Sequence, residues 1–119
     1  MLLIDPENCQ EFMAGDGSLL RQLLHPDKID MACRYSLCHA TVRSGQSTKP
    51  HRLRTSEVYY IIEGEGEMEI DDESSAVRAG MAVYIPPNST QHIRNTGPSD
   101  LKFLCIVDPA WREEDEEIL

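Results

Sequence analysis

The stretch that decides the fold is GQSTKPHRLRTSEVYYIIEG, which covers residues 45–64. His51 follows Gly45 after five residues, Glu57 comes six positions after His51, and a run of apolar or aromatic residues then leads to Gly64. Such a run, bounded by glycine and polar residues, is typical of a buried β-strand. The stretch therefore predicts a strand that begins with the carboxylate of Glu57, with the imidazole of His51 a few residues before it.

A second stretch, GMAVYIPPNSTQHIRN, covers residues 80–95. It begins with a short apolar segment that ends at Pro86 and Pro87, and Gln91 and Asn95 follow on the next predicted strand. Asn88 follows the two prolines, and asparagine tolerates the left-handed backbone geometry that glycine usually supplies in turns. The stretch predicts a strand, a tight turn and a second strand.

Outward from these two stretches, the whole region after about residue 34 alternates short apolar segments with Gly, Pro, Asn and Asp clusters. Regular short strands with turn signals between them indicate an all-β sandwich or barrel. The predicted strands are Tyr35–Arg43, Glu57–Ile62, Gly66–Ile70, Ser75–Ala79, Met81–Ile85, Thr90–Asn95 and Leu101–Val107.

The two stretches, in this order and at this separation, resemble the two motifs of the cupin superfamily, in particular a small single-domain cupin of type 2. The resemblance implies a cupin double-stranded β-helix, a jelly-roll type barrel, over residues 34–110. Residues 1–33 are then an N-terminal extension packing on the barrel, and residues 111–119 an acidic C-terminal tail. In the extension, Leu19–Leu24 fits either a short capped helix or an edge strand, and we favour the strand.

By the same resemblance, His51, Glu57 and Gln91 hold a divalent metal, which would be Mn, Fe, Ni or Zn, at the mouth of the barrel. This set departs from the cupin pattern, because Leu53 stands where a second histidine is expected and Gln91 where a third is expected. One nitrogen and two oxygen donors make a weak site, so a barrel without metal stays open as the alternative.

The register of the strand that holds Gln91 decides which side chain enters the pocket. Gln91, Ile93 and Asn95 share one face of an alternating strand, and His92 lies on the other. We therefore expect Gln91 to point inward, although a β-bulge would bring His92 in instead.

Four further residues are expected to line the pocket by the cupin resemblance and by strand alternation: Cys38, Tyr59, Phe103 and Cys105. Each of them also has a plain structural interpretation. The cysteines would be small buried apolar residues, and Tyr59 would belong to the packed core.

The segment Val58–Ile62 is apolar on both faces, so its outer face needs a cover as well as its inner one. Leu104 and Ile106 extend the same apolar surface. The cover is either the N-terminal segment or a second copy of the chain. Cupins commonly dimerise in this way, so the resemblance implies a homodimer.

Composition limits the partners. The chain has 119 residues and a formal net charge of −10, with its 11 Lys and Arg scattered, which disfavours nucleic acid and anionic membrane surfaces. There is no long apolar run and no basic leader, and the four cysteines form no CxxC pair. We expect a cytoplasmic protein with a small-molecule ligand.

Two functions fit this pattern. The first is a metal-dependent cupin enzyme, an isomerase or an oxygenase, that acts on a small polar molecule; no acid/base pair can be named from the sequence. The second is a non-catalytic ligand-binding or sensory module that has lost its catalytic metal. Retention of His51 and Glu57 favours the first, and loss of two histidines favours the second.

Overall fold

The computed structural model describes all 119 residues, and almost all of its regular structure is β-strand. The helical segments are two single 3-10 turns, at Pro6–Asn8 and Glu113–Asp115, so no helix has the length to cross a membrane. The eleven strands are β1 (Phe12–Met13), β2 (Leu19–Leu24), β3 (Ser36–Val42), β4 (His51–Leu53), β5 (Ser56–Glu63), β6 (Glu65–Ile70), β7 (Glu73–Arg78), β8 (Ala82–Ile85), β9 (Gln91–Asn95), β10 (Leu101–Asp108) and β11 (Glu116–Ile118).

The strands form two antiparallel sheets. One has six strands in the order β1-β2-β3-β10-β5-β8, and the other has five in the order β11-β4-β9-β6-β7. Neighbours within a sheet are often distant in sequence, and the chain crosses repeatedly from one sheet to the other, as in a jelly roll. The predicted all-β barrel of cupin type is confirmed.

One core lies between the two sheets. The six-stranded sheet contributes Ile61 and Phe103, and the five-stranded sheet contributes Met68 and Ile93. These residues alternate with outward-facing ones along each strand, because successive side chains of a strand point to opposite faces. Phe103 stacks on Tyr59 with ring centroids 4.4 Å apart, in a tilted arrangement that aromatic pairs prefer.

Strand register places one row of side chains across the inner face of the six-stranded sheet. Cys105 on β10 lies opposite Cys38 on β3 and, on its other side, opposite Tyr59 on β5. Tyr59 in turn lies opposite Val83 on β8. Both cysteines and Tyr59 therefore face the space between the sheets.

Two turns contain a residue with a positive φ, a left-handed conformation that glycine and asparagine adopt more readily than other residues. Gly64 has φ +88, and a Cβ at this position would lie 2.7 Å from the backbone oxygen of Asp100, so only glycine fits. Asn88, after the two prolines, has φ 65. The left-handed geometry expected for this asparagine is present.

Both ends of the chain join the sheets. Leu19–Leu24 forms strand β2, and it pairs with β3, so the strand rather than the helix is found in the extension. The segment expected as an acidic C-terminal tail contains strand β11, which pairs with β4 at the edge of the five-stranded sheet. The backbone N–H of Leu119 also donates to the oxygen of Pro50, at 2.9 Å. Main-chain hydrogen bonds hold this acidic segment in spite of its charge.

Candidate ligand-binding site

A cavity of about 260 Å³ opens at the end of the barrel where the two terminal segments meet β4 and β5. Ten of its 18 lining residues are hydrophobic. The lining includes five residues that the sequence predicted for the site, namely Cys38, His51, Glu57, Tyr59 and Cys105.

His51 begins β4 and is buried at 3% exposure. Its Nδ1 lies 2.7 Å from the backbone oxygen of Lys49, and a carbonyl oxygen can only accept, so Nδ1 carries the proton. Its Nε2 makes no hydrogen bond, and the nearest charged atom is Oδ2 of Asp16 at 3.6 Å. The hydrogen bond at Nδ1 therefore fixes the imidazole ring, and Nε2 is the ring nitrogen available to the cavity.

Glu57 on β5 is held by a short chain of hydrogen bonds. The hydroxyl of Tyr59 donates to Oε1 of Gln91 at 3.1 Å, and Nε2 of Gln91 donates to Oε1 of Glu57 at 3.0 Å. The second carboxyl oxygen of Glu57 accepts no hydrogen bond from the protein and is not sealed from the cavity. A bound molecule can reach it.

The environment of Glu57 keeps its carboxyl group protonated. Burial in a largely apolar wall raises its pKa from the ordinary 4.5 to about 8, against the opposing effect of the hydrogen bond from Gln91. The charges of Asp16 and Glu116 raise it further. Near neutral pH this side chain is a carboxylic acid that can donate a proton toward the cavity.

The thiols of the cavity wall do not ionise. Burial raises the pKa of Cys38 to about 11 and that of Cys105 well above its ordinary value, and the nearby Glu57 adds to both shifts. Burial likewise raises the pKa of the Tyr59 phenol. Cys38 and Cys105 are thus poor nucleophiles and poor thiolate ligands, and they act as small apolar wall residues.

The two other predicted residues lie behind the cavity wall. Phe103 packs in the core against Tyr59. Gln91 is 1% exposed, and both atoms of its amide are used by Tyr59 and Glu57. His92 lies on the opposite face of β9, where its Nε2 is 3.2 Å from Oε2 of Glu69. The structure contains no bulge that would exchange Gln91 for His92 in the β6–β9 pairing.

Sequence reasoning missed three residues of the mouth. Asp16 lies in the N-terminal extension, where its Oδ1 accepts from the backbone and the hydroxyl of Ser18. Trp111 and Glu116 come from the C-terminal segment, and the indole N–H donates to Oε2 of Glu116 at 2.7 Å. The Asp16-Gly17-Ser18 run is a turn signal in the sequence, but nothing in it indicates that the turn lies beside His51.

The donor set does not fit a resident metal centre. Gln91 is 1% exposed and does not line the cavity, and its amide oxygen already accepts from Tyr59. No group of three or more His, Cys, Asp or Glu side chains comes together in a way that could hold a metal ion. The orientation of His51, with its backbone-bonded Nδ1 and free Nε2, is the one feature common in metal ligands. The predicted metal stays a prediction that the arrangement of these donors does not support.

With this geometry established, the sequence can be compared with known proteins. The model of the cupin domain family matches residues 38–107, more than half of the chain. The chain belongs to the cupin family. The match ends before Trp111 and begins after Asp16, so the residues that close the mouth of this cupin lie outside the shared domain.

Two relatives by sequence and one solved structure illustrate what this cupin is similar to. The uncharacterized protein MJ1618 of Methanocaldococcus jannaschii is 41% identical over 114 residues, which cover 95% of this chain and 90% of that protein. The oxalate-binding protein of Thermotoga maritima is 26% identical over 106 residues and 87% of each chain. The structure of Pac13 from Streptomyces, a nucleoside dehydratase, superposes with a TM-score of 0.79 at 20% identity, over 100% of this chain and 91% of that one.

The family match and the fold identify this chain as a cupin. A fold that proteins of different function share does not by itself fix what the cavity binds.

Proposed function

We propose that this cupin binds a small organic molecule in the barrel cavity and moves a proton to and from it through His51 and Glu57. One observation carries the proposal. Two buried side chains each present a single unpartnered polar atom, Nε2 of His51 and the second oxygen of Glu57, to the same largely apolar cavity.

The two groups suit opposite roles in proton transfer. When His51 is neutral, its Nε2 holds a lone pair that can accept a proton from a bound molecule, while the hydrogen bond to Lys49 fixes the ring. Protonated Glu57 can donate a proton at its free oxygen. A general acid and a general base that face one bound molecule are the usual equipment of an isomerase or a dehydratase.

Tyr59 and Gln91 position Glu57 in this proposal. Their hydrogen bonds fix the carboxyl group at one oxygen and leave the other free. The apolar wall around them excludes water, which strengthens each polar contact with a ligand. No step of the proposal requires a metal ion.

The test is hydrogen exchange on a ligand in deuterated water. The full chain, freed of metals with a chelator, is incubated with a panel of small C–H acids, which contains a 2-hydroxy ketone, an aldose and a β-keto ester. Deuterium incorporation above the buffer rate, measured by mass spectrometry, supports the proposal if His51→Gln and Glu57→Gln each abolish it. Thr48→Ser, a buried hydroxyl that contacts the backbone of Ile93, is the control for damage to the fold.

A non-catalytic binding module is the second candidate, and the largely apolar lining of the cavity favours it. Such a module would bind members of the panel, with shifts of the Tyr59 and His51 resonances, but would exchange no deuterium. Binding without exchange thus separates this function from the first.

We further propose that two copies associate through the outer face of the six-stranded sheet. Strand β2 extends this sheet at its edge, so the N-terminal segment does not cover that face. Tyr60, Ile62 and Ile106 remain exposed at 45%, 44% and 37%, with Tyr84 beside them at 62%. Register places Ile106, Val58 and Tyr84 in one row across β10, β5 and β8, with Tyr60 in the neighbouring row, and a second copy would cover this face symmetrically.

A further inference from the structure

The charge of the cavity is one-sided. Three carboxyl groups line it, from Asp16, Glu57 and Glu116, while its 18 lining residues include no Lys and no Arg. His51 is the single basic side chain of the lining. Because Glu57 holds its proton near neutral pH, the negative charge that an entering molecule meets comes from Asp16 and Glu116, and no Lys or Arg is present to receive an anion.

Asp16 and Glu116 are fixed at the mouth. The backbone oxygen of Asp16 accepts from the N–H of Lys49 at 2.7 Å, and its Oδ1 accepts two hydrogen bonds from Ser18. Oε1 of Glu116 lies beside Gly15, where a Cβ would be 3.3 Å from it, and its Oε2 is held by Trp111. The two terminal segments thus bring both carboxylates to one side of the entrance.

Neither carboxylate is neutralised by a Lys or Arg partner. The ion pairs of the chain place Asp16 against His51 alone, and Glu116 takes part in none. Charges in a partly desolvated cavity are screened less than on a surface, so both act on an entering ligand.

A second observation, the ring nitrogen of His51 that makes no hydrogen bond, points to a ligand at this place. The side chain of His51 is more than nine-tenths buried, yet its Nε2 has no hydrogen-bond partner and faces the cavity. Polar atoms of buried side chains are nearly always hydrogen-bonded, so an Nε2 that is accessible from the cavity and lacks a partner is available to a ligand or to water.

From these observations we infer that the cavity takes uncharged or cationic small molecules with an apolar body, and that Asp16 and Glu116 reject anions. The inference rests on the proposed function, since it names the ligand class of the same cavity. It separates this cupin from its oxalate-binding relative, because oxalate is a dianion. The selecting residues lie outside the matched domain at residues 38–107, so a shared cupin core does not fix a shared ligand charge.

The test uses three probes of nearly equal shape and different charge: benzylamine as the cation, benzyl alcohol as the neutral molecule and benzoate as the anion. Each is titrated at neutral pH into the isotope-labelled, chelator-treated full chain, and backbone amide shifts around the cavity report binding. We expect the amine and the alcohol to bind, and benzoate to bind at least about tenfold more weakly than the alcohol.

Two variants and a control assign the effect to its residues. Asp16→Asn and Glu116→Gln should each bring the affinity for benzoate closer to that for benzyl alcohol. Glu117→Gln removes the same charge from the next residue, whose carboxylate pairs with Arg52 on the outside, and should change nothing. In the wild type, raising the salt concentration should reduce the difference in affinity between benzoate and benzyl alcohol. This measurement does not depend on the folding of any variant.

The possible failures differ. The charge inference would be overturned if benzoate bound as tightly as benzyl alcohol. It would also be overturned if Glu117→Gln reduced the difference in affinity between these two probes as much as Asp16→Asn or Glu116→Gln does. Either result would leave the cavity as a binding site. Absence of cavity shifts with all three probes would overturn the inferred ligand class, whereas the deuterium-exchange panel tests the proposed function separately.

Discussion

Replacement of Glu57 by Gln should stabilise this cupin near neutral pH. The pKa of Glu57 is about 8 in the folded chain and 4.5 when exposed, so between these values the folded state holds a proton that the unfolded state has released. Stability falls with rising pH wherever the folded state binds more protons. At pH 7 this group therefore costs about 3.5 kcal/mol of unfolding free energy, which is 2.5 pH units at roughly 1.4 kcal/mol each.

Glutamine has the shape of the neutral acid and keeps an oxygen for Nε2 of Gln91, so Glu57→Gln removes the pH-dependent cost without opening a cavity. Urea denaturation of the chelator-treated proteins, followed by circular dichroism, measures the difference. We expect the variant and the wild type to be similar in stability near pH 4.5, and the variant to gain as pH rises toward 8. Glu63→Gln on the exposed side of the same strand is the control.

Parallel stability curves for wild type and Glu57→Gln between pH 4.5 and 8 would refute the argument, because they would mean that Glu57 ionises in the folded chain as it does in water. A gain of the expected size would also indicate that the chain keeps a destabilising carboxyl group, which is common where a buried group serves function.

Three further outcomes are expected. Gly64→Ala should lower the free energy of unfolding in urea by about 3 kcal/mol or more, because the added Cβ would lie 2.7 Å from a backbone carbonyl oxygen. Gly45→Ala, where the added Cβ meets open space, should lower it by about 1 kcal/mol. Equal losses in the two variants would contradict the steric argument. Elemental analysis after incubation with Mn, Fe, Ni or Zn should find less than one bound metal per chain, and a stoichiometric metal that His51→Ala removes would refute the fit argument. Sedimentation velocity should find a dimer, and Tyr60→Lys should convert it to a monomer. Ile118→Lys, at a position of similar exposure on the other sheet, should leave the dimer intact. A monomeric wild type would reject the proposed interface.

Much of the site's scaffold could be predicted because it depends on strand alternation. Once Glu57 is placed at the beginning of β5, Tyr59 must share its face, and once Asn95 faces inward so must Gln91. The short strands β4 and β11 were not predicted. They contain too few residues for a period to be recognised, and their pairing partners lie far away in the sequence.

The state of the predicted ligands was beyond sequence reasoning for a different reason. The residue type of Gln91 offers an amide oxygen to a metal, but whether that oxygen is free depends on the hydroxyl of Tyr59, 32 residues away in the chain. In the same way the acidity of Glu57 depends on the apolar wall that several strands build around it.

The sequence alone determined that this protein is all-β, because local alternation and glycine-marked turns depend only on residues close together in the chain. Its resemblance to the cupin motifs then placed His51 and Glu57 near one pocket. Only the tertiary structure decided that Asp16 and Glu116 close that pocket. They lie 100 residues apart in sequence, and they meet at the mouth because β2 and β11 pair with strands of different sheets. The charge that an entering ligand meets is a sum over such distant groups, so it follows from the fold rather than from any single stretch of sequence.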